Sequence, residues 1–133
     1  MISKLQGMRP ISHSRRAPAN IRVGPNAETI RISGALLTKL IPGFDPRQKY
    51  QLTCFVQGDS ILIMKYRPGI DEPDCAVTTY ATRGTAYSQY ISARSIVKAL
   101  QLEIQDVANR EFPATVERGA IVFQMAPIPR KVA

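Results

Sequence analysis

The sequence lacks most of the side chains from which enzyme and metal sites are built. Its 133 residues include no tryptophan, one histidine and two cysteines. His13 stands among serines and an arginine, without the partners that orient a general base. Cys54 and Cys75 are too few for a disulfide framework and, with one histidine, cannot complete a four-ligand zinc site without carboxylates. Together with the missing GxxxxGK[ST] phosphate loop, these absences predict a protein that is not an enzyme and needs no metal or cofactor.

Acidic residues and long apolar runs are also scarce. Ten acids face 18 lysines and arginines, which gives a formal net charge of +8. A surplus of this size on a short chain favours a polyanionic partner, nucleic acid before an anionic membrane surface. No stretch approaches the roughly 18 apolar residues of a membrane span, and the N-terminus has no apolar signal core. We therefore expect a cytoplasmic protein without a membrane partner.

The basic residues are concentrated towards the two ends of the chain. No acid precedes Glu28, so residues 1–27 are expected to form a flexible basic arm. Residues 127–133 form a second basic tail, and an acidic, proline-rich stretch at 71–74 indicates an exposed linker. The alternative for both tails is that their charge serves solubility alone.

The middle of the chain, residues 28–126, predicts a single α+β domain rich in β-structure. A shift of the sequence by 60 residues aligns its apolar positions, for example Leu36 with Ile96 and Ile63 with Phe123. This pattern predicts two αββ-like half-repeats, 28–67 and 77–126, that share one core. The alternative is a coincidence between two ordinary αββ stretches.

Turn and capping residues divide the two halves into strands and short helices. In the first half, the Ser33 hydroxyl is expected to cap a helix that Pro42 ends. In the second, a short helix through Leu100 precedes the last hairpin. The alternation of this hairpin predicts one buried face, which carries Phe112, Ala114, Val116, Ile121, Phe123 and Met125. Gly58 and Gly119 mark the two hairpin turns, because glycine adopts the positive φ that such turns need. The predicted strands are 29–32, 50–57, 60–66, 77–81, 85–91, 112–117 and 120–125.

The first predicted hairpin is apolar on both of its faces. One face carries Leu52, Cys54, Val56, Ile61 and Ile63, and the other carries Phe55, Leu62, Met64 and Tyr66. A small domain rarely leaves a second apolar face to water. We therefore expect a homo-oligomer, a dimer or a tetramer, with packing between the two halves of one chain as the alternative.

The run IRISGALLTKLIPGFDPRQKYQLTCFVQGDSILIMKY resembles the swapped-hairpin module of bacterial transition-state regulators, through its I-S-G-x-L-L segment and its hairpin spacing. The resemblance covers residues 28–66 and, more loosely, 90–125. It implies a repressor or antitoxin that reads duplex DNA as a dimer, and some toxins of the superfamily cleave RNA. The basic arm and the Thr/Tyr-rich middle depart from the family pattern, so none of its groove-binding residues is carried over.

In size, basicity and absence of tryptophan, the chain is also similar to small phage proteins that bind single-stranded DNA and act as RNA polymerase cofactors. This resemblance implies transcription control in a bacterial host cytoplasm, with an RNA polymerase as a partner.

Tyrosines alternate with basic residues along the predicted strands. Bases stack on exposed aromatic faces while Lys and Arg follow the phosphates, whereas a duplex reader needs a longer exposed basic helix. The pattern therefore favours single-stranded DNA, with ordinary packing of the tyrosines as the alternative. The predicted binding residues are Arg15, Arg16, Arg22, Lys49, Lys65, Tyr66, Arg67, Arg83, Tyr87, Tyr90, Arg94, Arg130 and Lys131. A nuclease remains a further alternative, with magnesium held by Glu103, Asp106, Glu111 and Glu117.

Overall fold

A computed structural model describes residues 19–81 and 88–125 of the chain. The described part is rich in strands and has three short helices, which agrees with the predicted α+β class. The strands are β1 (Asn20–Val23), β2 (Thr29–Ile32), β3 (Gln51–Gln57), β4 (Ser60–Lys65), β5 (Val77–Thr78), β6 (Gln89–Ser92), β7 (Glu111–Glu117) and β8 (Ala120–Gln124). The helices are α1 (Gly34–Leu40), α2 (Arg94–Ala99) and α3 (Ile104–Val107), and Pro73–Cys75 forms one turn of 3-10 helix.

All eight strands lie in one antiparallel sheet with the order β5-β3-β4-β8-β7-β1-β2-β6. Its two edges meet where Tyr80, just after β5, bridges Tyr90 of β6. The backbone N–H of each tyrosine donates to the carbonyl of the other, at 3.0 and 2.8 Å. The sheet is therefore nearly closed on itself, an arrangement that leaves few unpaired edge groups.

Alternate strand residues fill the interior of the sheet. Ile61 and Ile63 of β4 are fully buried, as is Ile121 of β8, and Phe123 is 3% exposed. This alternation is expected of strands with one buried face. It confirms the inward face predicted for the second hairpin.

The two hairpin turns follow the glycine signals in the sequence. Gln57 pairs with Ser60 around Gly58, whose φ is 61°, and Glu117 pairs with Ala120 around the second turn. There Arg118 and Gly119 have φ values of 50° and 76°. Positive φ at both central positions matches a type I′ turn, whose twist suits an antiparallel pair.

The basic arm is shorter than the sequence analysis predicts. Residues 20–23 form β1, which pairs with β2 on one side and β7 on the other, and Ile21 and Val23 are fully buried. The strand has only two apolar residues in a segment of prolines and arginines, so its local pattern does not reveal it. Residues 1–18 of the predicted arm, and the tail at 127–133, lie outside the described residues.

Ser33 also differs from its predicted role. Its side chain makes no capping hydrogen bond to α1; its Oγ instead accepts a hydrogen bond from the N–H of Asn20 at 3.2 Å. The hydroxyl thus joins β1 to the start of α1, a contact between residues distant in the sequence.

In the stretch predicted to be an exposed linker, residues 72–74 are exposed and Asp71 is held by an ion pair. The Asp71 side chain is 6% exposed and pairs with Arg67, Oδ1 to Nη2, at 2.9 Å. The strands predicted at 77–81 and 85–91 are represented by β5 and β6, while residues 82–87 lie outside the described part. Within the described ranges, no helix is long and apolar enough to cross a membrane.

Candidate nucleic-acid interface

One row of side chains crosses neighbouring strands on the outer face of the sheet. Glu111 pairs with Arg22 and Arg22 with Arg31; Arg31 pairs with Tyr90, which bridges Tyr80. Directly paired residues of adjacent strands point to the same side of a sheet. The arginine–tyrosine row therefore consists, in spatial order, of Tyr80, Tyr90, Arg31, Arg22 and Glu111. Its strand neighbours point inward and are fully buried, namely Ile21, Val23, Ile30, Ile32 and Ile91.

The tyrosine end of the row is a preformed aromatic stack. The ring centroids of Tyr80 and Tyr90 lie 5.6 Å apart, with 21° between the ring planes. Tyr80 is 36% exposed, so the stack reaches the protein surface. Aromatic rings held in this way offer a platform on which a further flat ring can stack.

The centre of the row places two arginines directly opposite each other. Like charges at paired positions of adjacent strands destabilise a sheet unless they are compensated. Arg22 is compensated, because its Nη1 lies 2.9 Å from Oε1 of Glu111. The other carboxylate oxygen of Glu111 accepts a hydrogen bond from Nδ2 of Asn20 at 3.1 Å.

Arg31 has no such compensation from the described residues. None of their carboxylates forms an ion pair with it, and its Nε atom is buried without a hydrogen-bond partner among them. A buried donor without an acceptor is costly. The centre of the row is therefore chemically suited to receive an anion.

A small cavity lies beside this uncompensated arginine. Its volume is about 150 Å³, and it is lined by Arg22, Gly24, Pro25, Thr29, Arg31 and Tyr90. A Cβ atom at Gly24 would lie 2.5 Å from Oγ1 of Thr29, so glycine leaves this wall open. Guanidinium and hydroxyl donors around one cavity are the groups that contact phosphates in nucleic-acid complexes.

A larger cavity carries less suitable chemistry. It measures about 610 Å³ on the outer face of β4 and β8, where apolar side chains are joined by Glu117 and Arg118. One acid beside one base gives no net attraction for phosphate. The smaller cavity at Arg31 is therefore the stronger candidate for a nucleic-acid contact.

Three predicted binding residues lie at or near the row. Arg22 and Tyr90 belong to it. Arg94 follows β6, where its Nη2 is 3.2 Å from Oε1 of Glu28 and its side chain is 74% exposed.

The other described candidates lie around β3 and β4. Lys49 precedes Tyr50, whose backbone is hydrogen-bonded to Thr79 twice, so Lys49 lies near the Tyr80 end of the row. The candidates in and just after β4 lie further away, because three strands separate β4 from β2 in the sheet order. Lys49 and Lys65 are exposed. Arg67 pairs with Asp71, whose carbonyl oxygen accepts a hydrogen bond from the Tyr66 hydroxyl at 3.3 Å. The remaining predicted binding residues lie outside the described part: Arg15, Arg16, Arg83, Tyr87, Arg130 and Lys131.

One arginine and one tyrosine of the row are not among the binding residues predicted from the sequence. Arg31 is absent from the predicted binding residues because nothing in its local pattern separates it from other strand arginines. Tyr80 was likewise not selected. A signal for both existed only in the strand register, which places Arg31 beside Tyr90 and Tyr90 beside Tyr80.

The carboxylates considered for a magnesium site are not gathered in one place. Glu111 and Glu117 are at opposite ends of β7, about 20 Å apart at the usual rise of a strand. No three metal-ligating side chains of the described residues are placed to hold one ion. The four-carboxylate constellation of the nuclease alternative is therefore wrong.

The chain was also compared with known proteins. No family model, no curated protein and no solved structure matches it.

Proposed function

We propose that the chain is a non-enzymatic nucleic-acid-binding protein that favours single-stranded DNA, and that the arginine–tyrosine row is its binding surface. The observation that supports this most is Arg31, a partly buried guanidinium that no described carboxylate compensates, beside a stacked pair of tyrosines. A phosphate at Arg31 would supply the missing acceptor. A base on Tyr80 would extend the stack.

The dimensions of the row agree with a short segment of nucleic acid. Adjacent strands lie about 4.8 Å apart, so three steps separate Tyr80 from Arg22 by about 14 Å. This distance corresponds to about four nucleotides at a stacked rise of 3.4 Å. Base stacking at one end and phosphate binding at the other can thus act on the same strand.

A single strand fits this surface better than a duplex. Its bases are free to stack on aromatic side chains, whereas those of a duplex are paired and stacked on one another. Readers of duplex DNA commonly place a helix in the major groove, and α1 and α2 have only seven and six residues. The second candidate remains the swapped-hairpin repressor that binds duplex DNA.

We also infer that the sheet is built from two half-repeats, which begin earlier than the sequence predicts because β1 belongs to the first. In each half, two strands precede the first helix, and the half ends with a hairpin. The hairpin registers agree after a shift of 60 residues, since Cys54 pairs with Ile63 and Ala114 with Phe123. The two hairpins lie side by side through β4 and β8, a position that covers an edge of the first hairpin.

This internal pairing leaves part of the outer face of the first hairpin accessible. Phe55 is 40% exposed and Leu62 is half-buried. We therefore retain the proposal of a homo-oligomer through this face. Transcription control with an RNA polymerase as partner stays a prediction from the phage resemblance.

The proposal is tested by fluorescence anisotropy with single-stranded DNA, duplex DNA and RNA of matched sequence. The double variant Tyr80→Ala/Tyr90→Ala is expected to lose about tenfold or more in affinity for single strands, since stacking contributes about 1–3 kcal/mol per base. The matched control, Tyr80→Phe/Tyr90→Phe, keeps both rings and should keep the affinity.

Three outcomes would contradict the proposal. Equal affinity of the alanine and phenylalanine variants for single strands would remove the row from the binding surface. Tighter binding of the wild type to duplex DNA would favour the repressor instead. Cleavage of any ligand would contradict the non-enzymatic assignment.

A further inference from the structure

The two cysteines of the chain line one cavity. This cavity, of about 310 Å³, opens beside β5 and the start of α2, and its walls include Cys54, Cys75, Val77, Ser95 and Ile96. Both thiols are free. Cys54 lies in β3 and is half-buried, while Cys75 ends the 3-10 turn and is exposed. A half-buried and an exposed cysteine therefore line the same cavity.

The pairing of β3 with β5 brings the two cysteines alongside each other. Gln51 pairs with Thr78 and Leu52 with Val77. If this antiparallel register continued for two more residues, Cys54 of β3 would lie opposite Cys75, which stands just before β5 in the chain.

A single extended residue separates Val77 from Cys75. Ala76 is extended, with φ −73° and ψ 131°, so the segment continues the line of β5. Directly paired residues have Cα atoms about 4.5–5.5 Å apart, within the roughly 4.4–6.8 Å that a disulfide requires. The ladder itself ends at Val77, because the N–H groups of Cys75 and Ala76 donate to the carbonyls of Glu72 and Pro73. Only this short turn has to adjust for the two sulfur atoms to meet.

We propose that Cys54 and Cys75 form a reversible intramolecular disulfide, with a small-molecule disulfide such as oxidised glutathione as the oxidant. The thiolate of Cys75 attacks one sulfur of the oxidant, and one glutathione thiolate leaves and takes up a proton. The deprotonated Cys54 sulfur then attacks the Cys75 sulfur of this mixed disulfide and releases the second glutathione. Two protein thiols are oxidised to one disulfide, and one glutathione disulfide is reduced to two thiols.

The closing step depends on pH. Burial raises the pKa of the Cys54 thiol to about 11, so very little of it is thiolate near neutral pH. Closure of the protein disulfide therefore accelerates as the pH rises.

The position of the disulfide connects it to the arginine–tyrosine row. Thr79 follows β5 and is bound to Tyr50 twice: its N–H donates to the Tyr50 carbonyl, and its Oγ1 accepts from the Tyr50 N–H, both at 2.8 Å. A covalent link from Cys75 to β3 would add a second attachment on the other side of β5. Tyr80 comes next in the chain, so oxidation would restrain the segment that carries this tyrosine. This consequence alone rests on the proposed function.

The disulfide is tested on the full chain by incubation with oxidised glutathione, followed by peptide mapping under non-reducing conditions. We expect a single chain whose mass is lower by two hydrogen atoms, a peptide pair that joins Cys54 to Cys75, and reversal by dithiothreitol. Its rate should rise with pH. Cys75→Ser, at an exposed position, is the matched control and should leave Cys54 unmodified.

A glutathione adduct that persists on Cys75 at raised pH would overturn the proposal, as would a disulfide that forms only between two chains. Affinity for single-stranded DNA is measured separately on the oxidised and reduced forms, and we expect it to differ. A disulfide that forms without a change in affinity would support the thiol chemistry and rule out its connection to the row. Absence of DNA binding in both forms would count against the proposed function and leave the disulfide intact.

Discussion

The replacement Arg31→Met tests the row most directly, because it should separate binding from stability. Methionine keeps an unbranched apolar stem of similar length and removes the guanidinium. It thereby removes both the charge opposite Arg22 and the buried Nε that lacks an acceptor among the described residues. We expect the variant to be more stable than the wild type and to bind nucleic acid more weakly.

The expected gain in stability follows from two terms. Relief of a like-charge pair across two strands contributes about 0.2–1 kcal/mol, and removal of a buried unsatisfied donor about 1–3 kcal/mol. Lost side-chain contacts offset part of this, so a net gain of about 1 kcal/mol is reasonable. For a domain of this size, such a gain raises the melting temperature by about 4 °C or more.

The expected loss in binding comes from one charge-assisted contact. Hydrogen bonds to charged groups contribute about 1.5–3 kcal/mol, which corresponds to a loss of affinity of about tenfold to a hundredfold. The salt dependence should weaken as well, since each phosphate contact on a single strand contributes about 0.7 to the slope of log K against log salt.

Thermal unfolding followed by circular dichroism and anisotropy titrations at several salt concentrations measure both effects. Lys65→Met is the matched control, because it removes one positive charge from an exposed position in β4, which three strands separate from β2 in the sheet order. It should change affinity much less than Arg31→Met does. A variant at position 31 that is less stable and binds as tightly as the wild type would refute the reasoning.

Three further substitutions test an ion pair, a hairpin turn and the outer face of the first hairpin. Glu111→Gln releases Arg22 from its ion pair and should tighten nucleic-acid binding a few-fold in anisotropy titrations. Because the pair is partly exposed, the loss of stability should stay below about 1 kcal/mol. Weaker binding would contradict this prediction. Arg118→Asn should raise the melting temperature, because Arg118 has left-handed backbone geometry. This geometry costs most residues about 1–2 kcal/mol, whereas Asn adopts it more easily. An unchanged melting temperature would argue against strain in this turn. Leu62→Lys should yield monomers or aggregates in sedimentation, and a wild type that is monomeric at micromolar concentration would exclude the homo-oligomer.

The sequence by itself determined the local elements of this protein. Hairpin turns followed from Gly58 and Gly119, because few other residues adopt their backbone conformation without strain. The inward face of the second hairpin followed from strict alternation, since neighbouring strand residues point to opposite sides. The end of α1 followed from Pro42, which disfavours helical geometry in the residue before it. Each of these signals acts over a few residues, and each was readable before the fold was known.

Only the tertiary structure decided how distant strands meet. β1 exists as part of a sheet because β2 and β7 lie on its two sides, and no pattern within four residues reveals such neighbours. The candidate site has the same origin, since its members stand at positions 22, 31, 80, 90 and 111 of the chain. A shift of one residue in any register would move side chains to the opposite face. Composition could therefore indicate arginines and tyrosines as binding groups, while the cross-strand register selected which of them lie together.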